Sequence, residues 1–279
     1  MGVKTTQKVT NALFTVSGLI TIAILIIVVS YILINGISVI NLDFIFSKPL
    51  DSGRDGGIFP MISSSIYLLV VTLLIAIPLG VGSAVYMVEY NRSVKFEVSI
   101  RFLSQILASV PSIVFGLFGL TFFIFFLKMD WSIFVAGLIL ALMSAPTIFQ
   151  VAEVSLRVVP DMYKEASYGL GATKWQCITS VILPNAIGGI FTGIILALTR
   201  AFSEAAAVMY LVGSSLDIPT SIFDTGRPLP LHLYVLASEG ISMENAYGTA
   251  FVLVAIVLAI TLLSNYLISR YQTKRGFSS

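Results

Sequence analysis

The sequence predicts an all-α membrane protein with six transmembrane helices. Hydrophobic residues make up 57% of the 279-residue chain and charged residues only 11%, where a soluble domain averages about 25% charged. Mean hydropathy is +0.98. Several runs exceed about 18 nearly uncharged residues, long enough to cross a bilayer as a helix. These runs do not alternate polar and apolar residues, so they are helices rather than strands of a closed barrel.

The expected spans are 12–34, 61–88, 103–127, 132–154, 186–212 and 246–269. The first follows Lys4 and Lys8 but is longer than a signal-peptide apolar region, and no small-x-small cleavage site follows it, so it is expected to be retained. Orientation follows from Lys and Arg in the connections. Eleven lie on one side, at Lys4, Lys8, Arg92, Lys95, Arg101, Arg157, Lys164, Lys174, Arg270, Lys274 and Arg275. Four lie on the other, at Lys48, Arg54, Lys128 and Arg227, and Arg200 falls inside a span. This excess predicts that both termini are cytoplasmic. The expected organisation is a segment at 1–60 with the first span and an outer loop, a transmembrane core at 61–270, and a cytoplasmic tail at 271–279.

Pro78, Pro111 and Pro146 fall inside spans two, three and four, where each removes a helix hydrogen bond and favours a kink. Gly189 and Gly193 in span five form a small-xxx-small step that lets helices approach closely. Two readings are open for these residues: bundle packing, or mobility for a gate.

Composition also excludes function classes. A net charge of +2 argues against a nucleic-acid partner. The single cysteine, Cys177, permits no intrachain disulfide and no cysteine metal cluster. His232 stands alone, which makes a metal site unexpected and a loop hydrogen bond the expected role. No catalytic residue is expected.

The longest polar interruption on the basic side is 160–184. Pro160 and Asp161 suit the first turn of a short helix. Gly169 and Gly171 permit a turn with positive φ. Thr173 stands three residues before Gln176, a capping-box spacing for a second helix. Trp175, Ile178 and Ile182 follow at helical spacing as an apolar stripe, and Pro184 closes the segment. By position alone this is either an interfacial amphipathic helix or a docking surface.

The residues themselves resemble a known loop. Glu165-Ala166-Ser167, three residues, Gly171, nine residues and Val181-Ile182-Leu183-Pro184 are similar to the EAA loop of ABC importer permeases; Ser167 replaces the usual alanine. The resemblance implies the type I ABC importer permease fold with a cytoplasmic coupling helix. It also implies ATPase contacts through Glu165, Ala166, Ser167, Gly171, Ala172, Thr173, Trp175, Leu183 and Pro184. No G-x-x-x-x-G-K-[ST] occurs in the chain, so ATP and Mg would be bound by a partner ATPase and no cofactor by this chain.

Arg200 and Glu204 are expected deep in span five, one helical turn apart. An intramembrane charge is a functional candidate by default. The pair is either a structural ion pair or part of a polar translocation pathway in which Arg200 attracts an anion. Arg200-Ala201-Phe202-Ser203-Glu204-Ala205 is similar to the R-A-x-G-E-T stretch of phosphate importer permeases, with Ser203 and Ala205 as departures. Gly56-Gly57-Ile58-Phe59-Pro60, Ile77-Pro78-Leu79-Gly80, Tyr86-Met87-Val88-Glu89-Tyr90, Val110-Pro111-Ser112-Ile113-Val114-Phe115-Gly116-Leu117-Phe118-Gly119 and Leu231-His232-Leu233-Tyr234 resemble the PstA type over its sister, PstC. What this implies is a phosphate permease in a bacterial or archaeal inner membrane. Its implied partners are a sister permease, two ATPase subunits, an extracytoplasmic phosphate-binding protein and membrane lipid. Permeases for sulfate, molybdate or phosphonate would share the loop. A secondary transporter should show paired, interrupted helices from inverted repeats, and none is evident.

Overall fold

A computed structural model describes residues 3–274. Residues 275–279 of the expected tail lie outside the described residues. Helix α1 (Val3–Ile37) is followed by a short α2 (Leu42–Phe46) and a hairpin of β1 (Pro49–Leu50) and β2 (Asp55–Gly56). Next come α3 (Phe59–Val85), extended by a π turn at Tyr86–Tyr90, then α4 (Val94–Ser109) and α5 (Ser112–Gly119), extended by a π turn at Leu120–Phe126. After them run α6 (Ile133–Arg157), α7 (Asp161–Gly169), α8 (Lys174–Cys177), a π turn at Ile178–Ile182 and α9 (Leu183–Phe202). A short α10 (Leu229–Ser238) and a long α11 (Met243–Lys274) complete the fold.

Among the described residues, five continuous helical stretches are long and apolar enough to cross a membrane: Thr10–Ile37, Phe59–Tyr90, Ile133–Arg157, Lys174–Phe202 and Met243–Arg270. The expected third span is instead a broken pair, Val94–Ser109 and Ser112–Phe126, bent by 95°. Pro111 causes the break. It forces Val110 into an extended conformation (φ −65°, ψ 131°), because the proline ring disfavours a helical residue before it. Pro78 and Pro146 remain inside continuous helices.

The core is a stack of α3, α6 and α9, with α6 in the middle. Small residues set the spacing. A Cβ on Gly137 would stand 2.5 Å from Val71 Cγ1, and one on Gly80 would stand 2.7 Å from Ile148 Cβ. On the other side of α6, a Cβ on Gly193 would stand 2.9 Å from Val151 Cβ, and one on Gly189 would collide with the Ser155 side chain. The small-xxx-small step is therefore a packing device at the α6–α9 contact. Helix α1 packs against α11 and leaves most of its apolar side chains outward-facing, as suits lipid or another chain.

The fifth span differs from expectation at both ends. It begins at Lys174, inside the polar loop, and ends at Phe202 rather than 212. Pro184 does not close the segment. Its missing N–H would interrupt an α-helix, but the π turn at Ile178–Ile182, with Leu183 N–H donating to Ile178 O, carries the helix past it. Beyond Phe202 the chain is irregular and folds back into the bundle, burying Ala207, Val208, Leu211 and Val212 beside Ile139 and Phe115. Its carbonyls accept from the start of α6: Ser132 N–H to Leu211 O (3.0 Å), Ile133 N–H to Asp224 O (3.0 Å) and Phe134 N–H to Ile222 O (2.7 Å). These bonds satisfy donors that a helix N-terminus otherwise leaves free. They are also what permits non-helical backbone inside an apolar bundle.

His232 lies on α10, buried, rather than in a loop. Its Nδ1 makes no hydrogen bond within the described residues, contrary to expectation. The β1–β2 hairpin covers it: a Cβ on Gly53 (φ +99°) would stand 2.8 Å from its Cε1. Asn245 holds the hairpin there by donating Nδ2 to Gly53 O (3.0 Å) and Arg54 O (2.8 Å). Burial, and then the positive charge of Arg227, lower the imidazole pKa from 6.5 to about 4. The unfolded chain therefore takes up the proton first. Stability from the neutral imidazole is full above pH 6.5 and is lost as pH falls toward about 4. The loss approaches about 3 kcal/mol at the acid end, from about 1.4 kcal/mol per pKa unit. Thermal unfolding of purified protein at pH 7.5 and pH 5 should show this drop, and His232→Gln should flatten it. An equal drop in the variant would contradict the assignment.

Candidate coupling loop and charged clusters

The segment between α6 and α9 is folded, and its sequence explains how. Pro160 in an extended conformation precedes α7, and Asp161 occupies the first turn, where its charge complements the helix dipole. At the other end, Gly171 adopts φ +84°. Its N–H donates to Tyr168 O (2.9 Å), and Ala172 N–H donates to Ser167 O (3.2 Å). This bond pair is a Schellman stop, which needs a left-handed residue and so favours glycine. Gly169 stays helical, so only one of the two glycines supplies the turn. Thr173 and Gln176 form the expected capping box: Gln176 N–H donates to Thr173 Oγ1 (3.3 Å) and Thr173 N–H donates to Gln176 Oε1 (2.8 Å).

The apolar stripe needs a correction. Cys177, Ile178 and Ile182 are fully buried, but Trp175 is 62% exposed. The π turn at Ile178–Ile182 winds more slowly than an α-helix, so the seven-residue spacing no longer keeps Trp175 in line with Ile182. Trp175 therefore joins Leu170, 90% exposed, and Met162 on an outward apolar surface. Glu165 and Ala166 are exposed on α7, while Ser167 and Ala172 are half-buried. Leu183 and Pro184 are half-buried where α9 begins.

Both halves of the loop are pinned to the end of α3. Lys164 Nζ lies 3.1 Å from Glu89 Oε1 and 3.4 Å from Asp161 Oδ1. Burial lowers the Lys164 pKa, but hydrogen bonding and charge from Glu89 and Asp161 more than offset it, so the net shift is upward and the ammonium is retained. Lys174 Nζ donates to Glu89 O and sits 4.4 Å from the Tyr90 ring centroid. A displacement of the loop is therefore felt by α3.

At the same end of the bundle lies a cluster that the sequence reading did not assemble. Glu153 on α6 is 4% exposed. Its Oε1 accepts from Arg101 Nη2 (2.7 Å) and Nε (3.1 Å), and from Arg157 Nη2 (2.9 Å) and Nε (3.1 Å). Glu97 Oε1 lies 3.0 Å from Arg101 Nη2 and 2.8 Å from Arg157 Nη2. Each half was legible, because Glu97/Arg101 and Glu153/Arg157 are both i,i+4 pairs, but no spacing shows that the two halves meet.

Arg200 and Glu204 do not pair. The helix ends at Phe202, with Ser203 N–H donating to Arg200 O (3.2 Å) and Ser203 Oγ to Thr199 O (3.0 Å). Glu204 lies past that end and turns inward. Its Oε1 accepts from Ala206 N–H (3.1 Å) and Ala207 N–H (3.4 Å). Together with Ser65, Phe202 and Pro228 it lines a cavity of about 10 Å³, room for one water. Arg200 is exposed in the last turn of α9 and has no ion pair among the described residues. Beside this turn Ser203, Ala205, Leu233 and Tyr234 line an open groove of about 520 Å³. Among the described residues no group of three or more His, Cys, Asp or Glu could hold a metal.

A bundle of apolar helices, an irregular segment folded into it at one end and a capped two-helix loop pinned across the other define a multi-pass membrane transport subunit. Residues 76–275 match the family described as binding-protein-dependent transport system inner membrane component, and the chain belongs to that family. It is 36% identical over 283 residues to a probable ABC transporter permease protein, YqgI, of Bacillus subtilis, covering 96% of each chain. It is 36% identical over 210 residues to the phosphate transport system permease protein PstA of Mycobacterium leprae, covering 74% of this chain and 69% of that one. In fold it is similar to a chain of a bacterial alginate ABC transporter crystal structure, at TM-score 0.68 and 15% identity, covering 95% and 96% of the two chains. It also resembles a chain of the MetNI methionine ABC transporter in an inward-facing conformation, at TM-score 0.58 and 19% identity, covering 77% and 94%. The fold is that of a type I ABC importer permease.

Proposed function

We propose that this chain is the PstA-type permease subunit of an ATP-driven importer for inorganic phosphate. It works beside a sister permease in a bacterial or archaeal cytoplasmic membrane, with both termini in the cytoplasm. Two ATPase subunits bind ATP and Mg, and an extracytoplasmic binding protein delivers phosphate. The observation that carries this reading is the folded loop at 161–184. It presents Leu170, Trp175 and Met162 outward and is pinned by Lys164 and Lys174 to the end of α3. A loop that only joined two spans would need neither caps at both helix ends nor pins. The same surface offers Glu165, Ala166, Ser167, Gly171, Ala172 and Thr173 to an ATPase cleft, with Leu183 and Pro184 transmitting motion into α9.

The chain performs no covalent step. Its partners bind its inward and outward conformations unequally, and ATP binding shifts the population between them. The substrate assignment is supported by relatives named as phosphate permeases in Mycobacterium leprae and Xylella fastidiosa. The assembled transporter in proteoliposomes should accumulate labelled phosphate and resist competition by sulfate, molybdate or phosphonate. Uptake that one of those anions displaces at equal concentration would assign the chain to a different oxyanion importer.

A further inference from the structure

We infer that Glu153 is a positioning residue that joins the coupling loop to the bent third span, so that loop motion reaches α4 and α5 through its carboxylate. This inference rests on the reading of 161–184 as the ATPase-coupling element.

The geometry has three parts. First, Glu153 is a hub: one buried carboxylate oxygen accepts four N–H bonds from two arginines on different helices, at 2.7 to 3.1 Å. Glu97 bridges the same two guanidinium groups from the solvent side. Charge-assisted bonds of this kind are the strongest a side chain makes. Second, the two arginines stand at the two ends of the inferred path. Arg157 is the last residue of α6, just before Pro160 and α7. Arg101 lies midway along α4, which leads into the 95° break at Val110-Pro111 and then into α5. Third, α4 has little else to hold it. None of its residues is buried, and it packs chiefly against α6. Helix α5, by contrast, enters the core through Phe115, Gly116 and Gly119. Helix α4 is therefore an arm fixed at one end by core packing beyond a proline break and along its length by the Glu153 cluster. A push on α7 acts on Arg157, passes through Glu153 and Glu97 to Arg101, and turns α4 about Pro111. The Glu89–Lys164 contact acts on α3 instead and does not substitute for this path.

The test uses the complete transporter in proteoliposomes, with ATP hydrolysis and phosphate uptake read on one preparation. Glu153→Gln keeps the side-chain shape and removes the charge that holds the arginines. The expected result is uptake lowered about tenfold or more with ATP hydrolysis within about twofold of the unmodified protein. Arg101→Gln, at a half-exposed site, should give the same split. The double variant should be no worse than either single one, because both remove one connection. Should Glu153→Gln fail to assemble, Arg101→Gln decides by the same criterion. Unchanged uptake, or uptake and hydrolysis falling in parallel, would overturn the inference. Failure of the unmodified transporter to accumulate phosphate would instead overturn the proposed function, and that control is read first.

Discussion

Gly171→Arg should abolish ATP-driven uptake while the protein remains folded in the membrane. The residue sits at φ +84°, where an added Cβ would meet nothing within 4 Å. Space is therefore no obstacle, and the conformational cost for a side chain in the left-handed region is about 1–2 kcal/mol. That cost is local to an exposed turn. The arginine would, however, extend beside the exposed Leu170, placing a long cation in the way of the proposed ATPase cleft. Gly171→Ala separates the two effects, since it carries the same backbone cost without the obstruction and should retain most of the uptake. Co-purification of the ATPase subunits with each variant, read beside uptake, checks this. Full uptake in Gly171→Arg would mean that the partner does not dock here.

Arg200→Ala should lower phosphate uptake by about tenfold or more, corresponding to about 1.4 kcal/mol or more, with no loss of thermal stability. The guanidinium is exposed and pairs with no described acid, so its removal leaves no buried charge behind. Alanine also suits the last turn of α9. An exposed cation at the end of an otherwise apolar helix is costly in a membrane, and the proposed pathway would give it an anion to attract in the assembled transporter. Arg200→Lys should restore only part of the uptake, because a point charge does not reproduce the planar fork that binds oxyanions in pairs of hydrogen bonds. Glu204 acts differently. Its carboxylate caps Ala206 and Ala207, so Glu204→Gln, which keeps an acceptor, should be tolerated better than Glu204→Ala. Uptake of Arg200→Ala at the unmodified rate would remove Arg200 from the pathway.

The parts of this protein that were legible in the sequence are those set by local chemistry. Long apolar runs gave the helices, and the Thr173–Gln176 spacing gave the capping box. Gly171 gave the left-handed stop. Spacing from Glu165 to Pro184 gave the likeness that the family match then bore out. The misses share a different origin. Hydropathy reports that a segment avoids water but not what satisfies its backbone. The apolar run around Ala205–Val212 was therefore read as more helix, when the start of α6 supplies its hydrogen bonds. Arg200 and Glu204 were placed one turn apart for the same reason. Pro111 was visible, but a kink and a 95° break differ only in what packs on either side. Pro146 is buried in the stack of α3, α6 and α9, and Pro78, though exposed, lies on a helix whose other face packs along α6, whereas α4 buries no residue. The Glu153 cluster depends on Arg101, 52 residues away, and no local spacing predicts that contact.

The central claim is that energy enters this chain through the 161–184 loop from a separate ATPase. Phosphate accumulation in proteoliposomes, measured with and without the ATPase subunits in otherwise identical vesicles, tests it most directly. Accumulation should require both the subunits and ATP, and it should stop when either is omitted. Accumulation against a gradient by the permease pair alone would contradict the account.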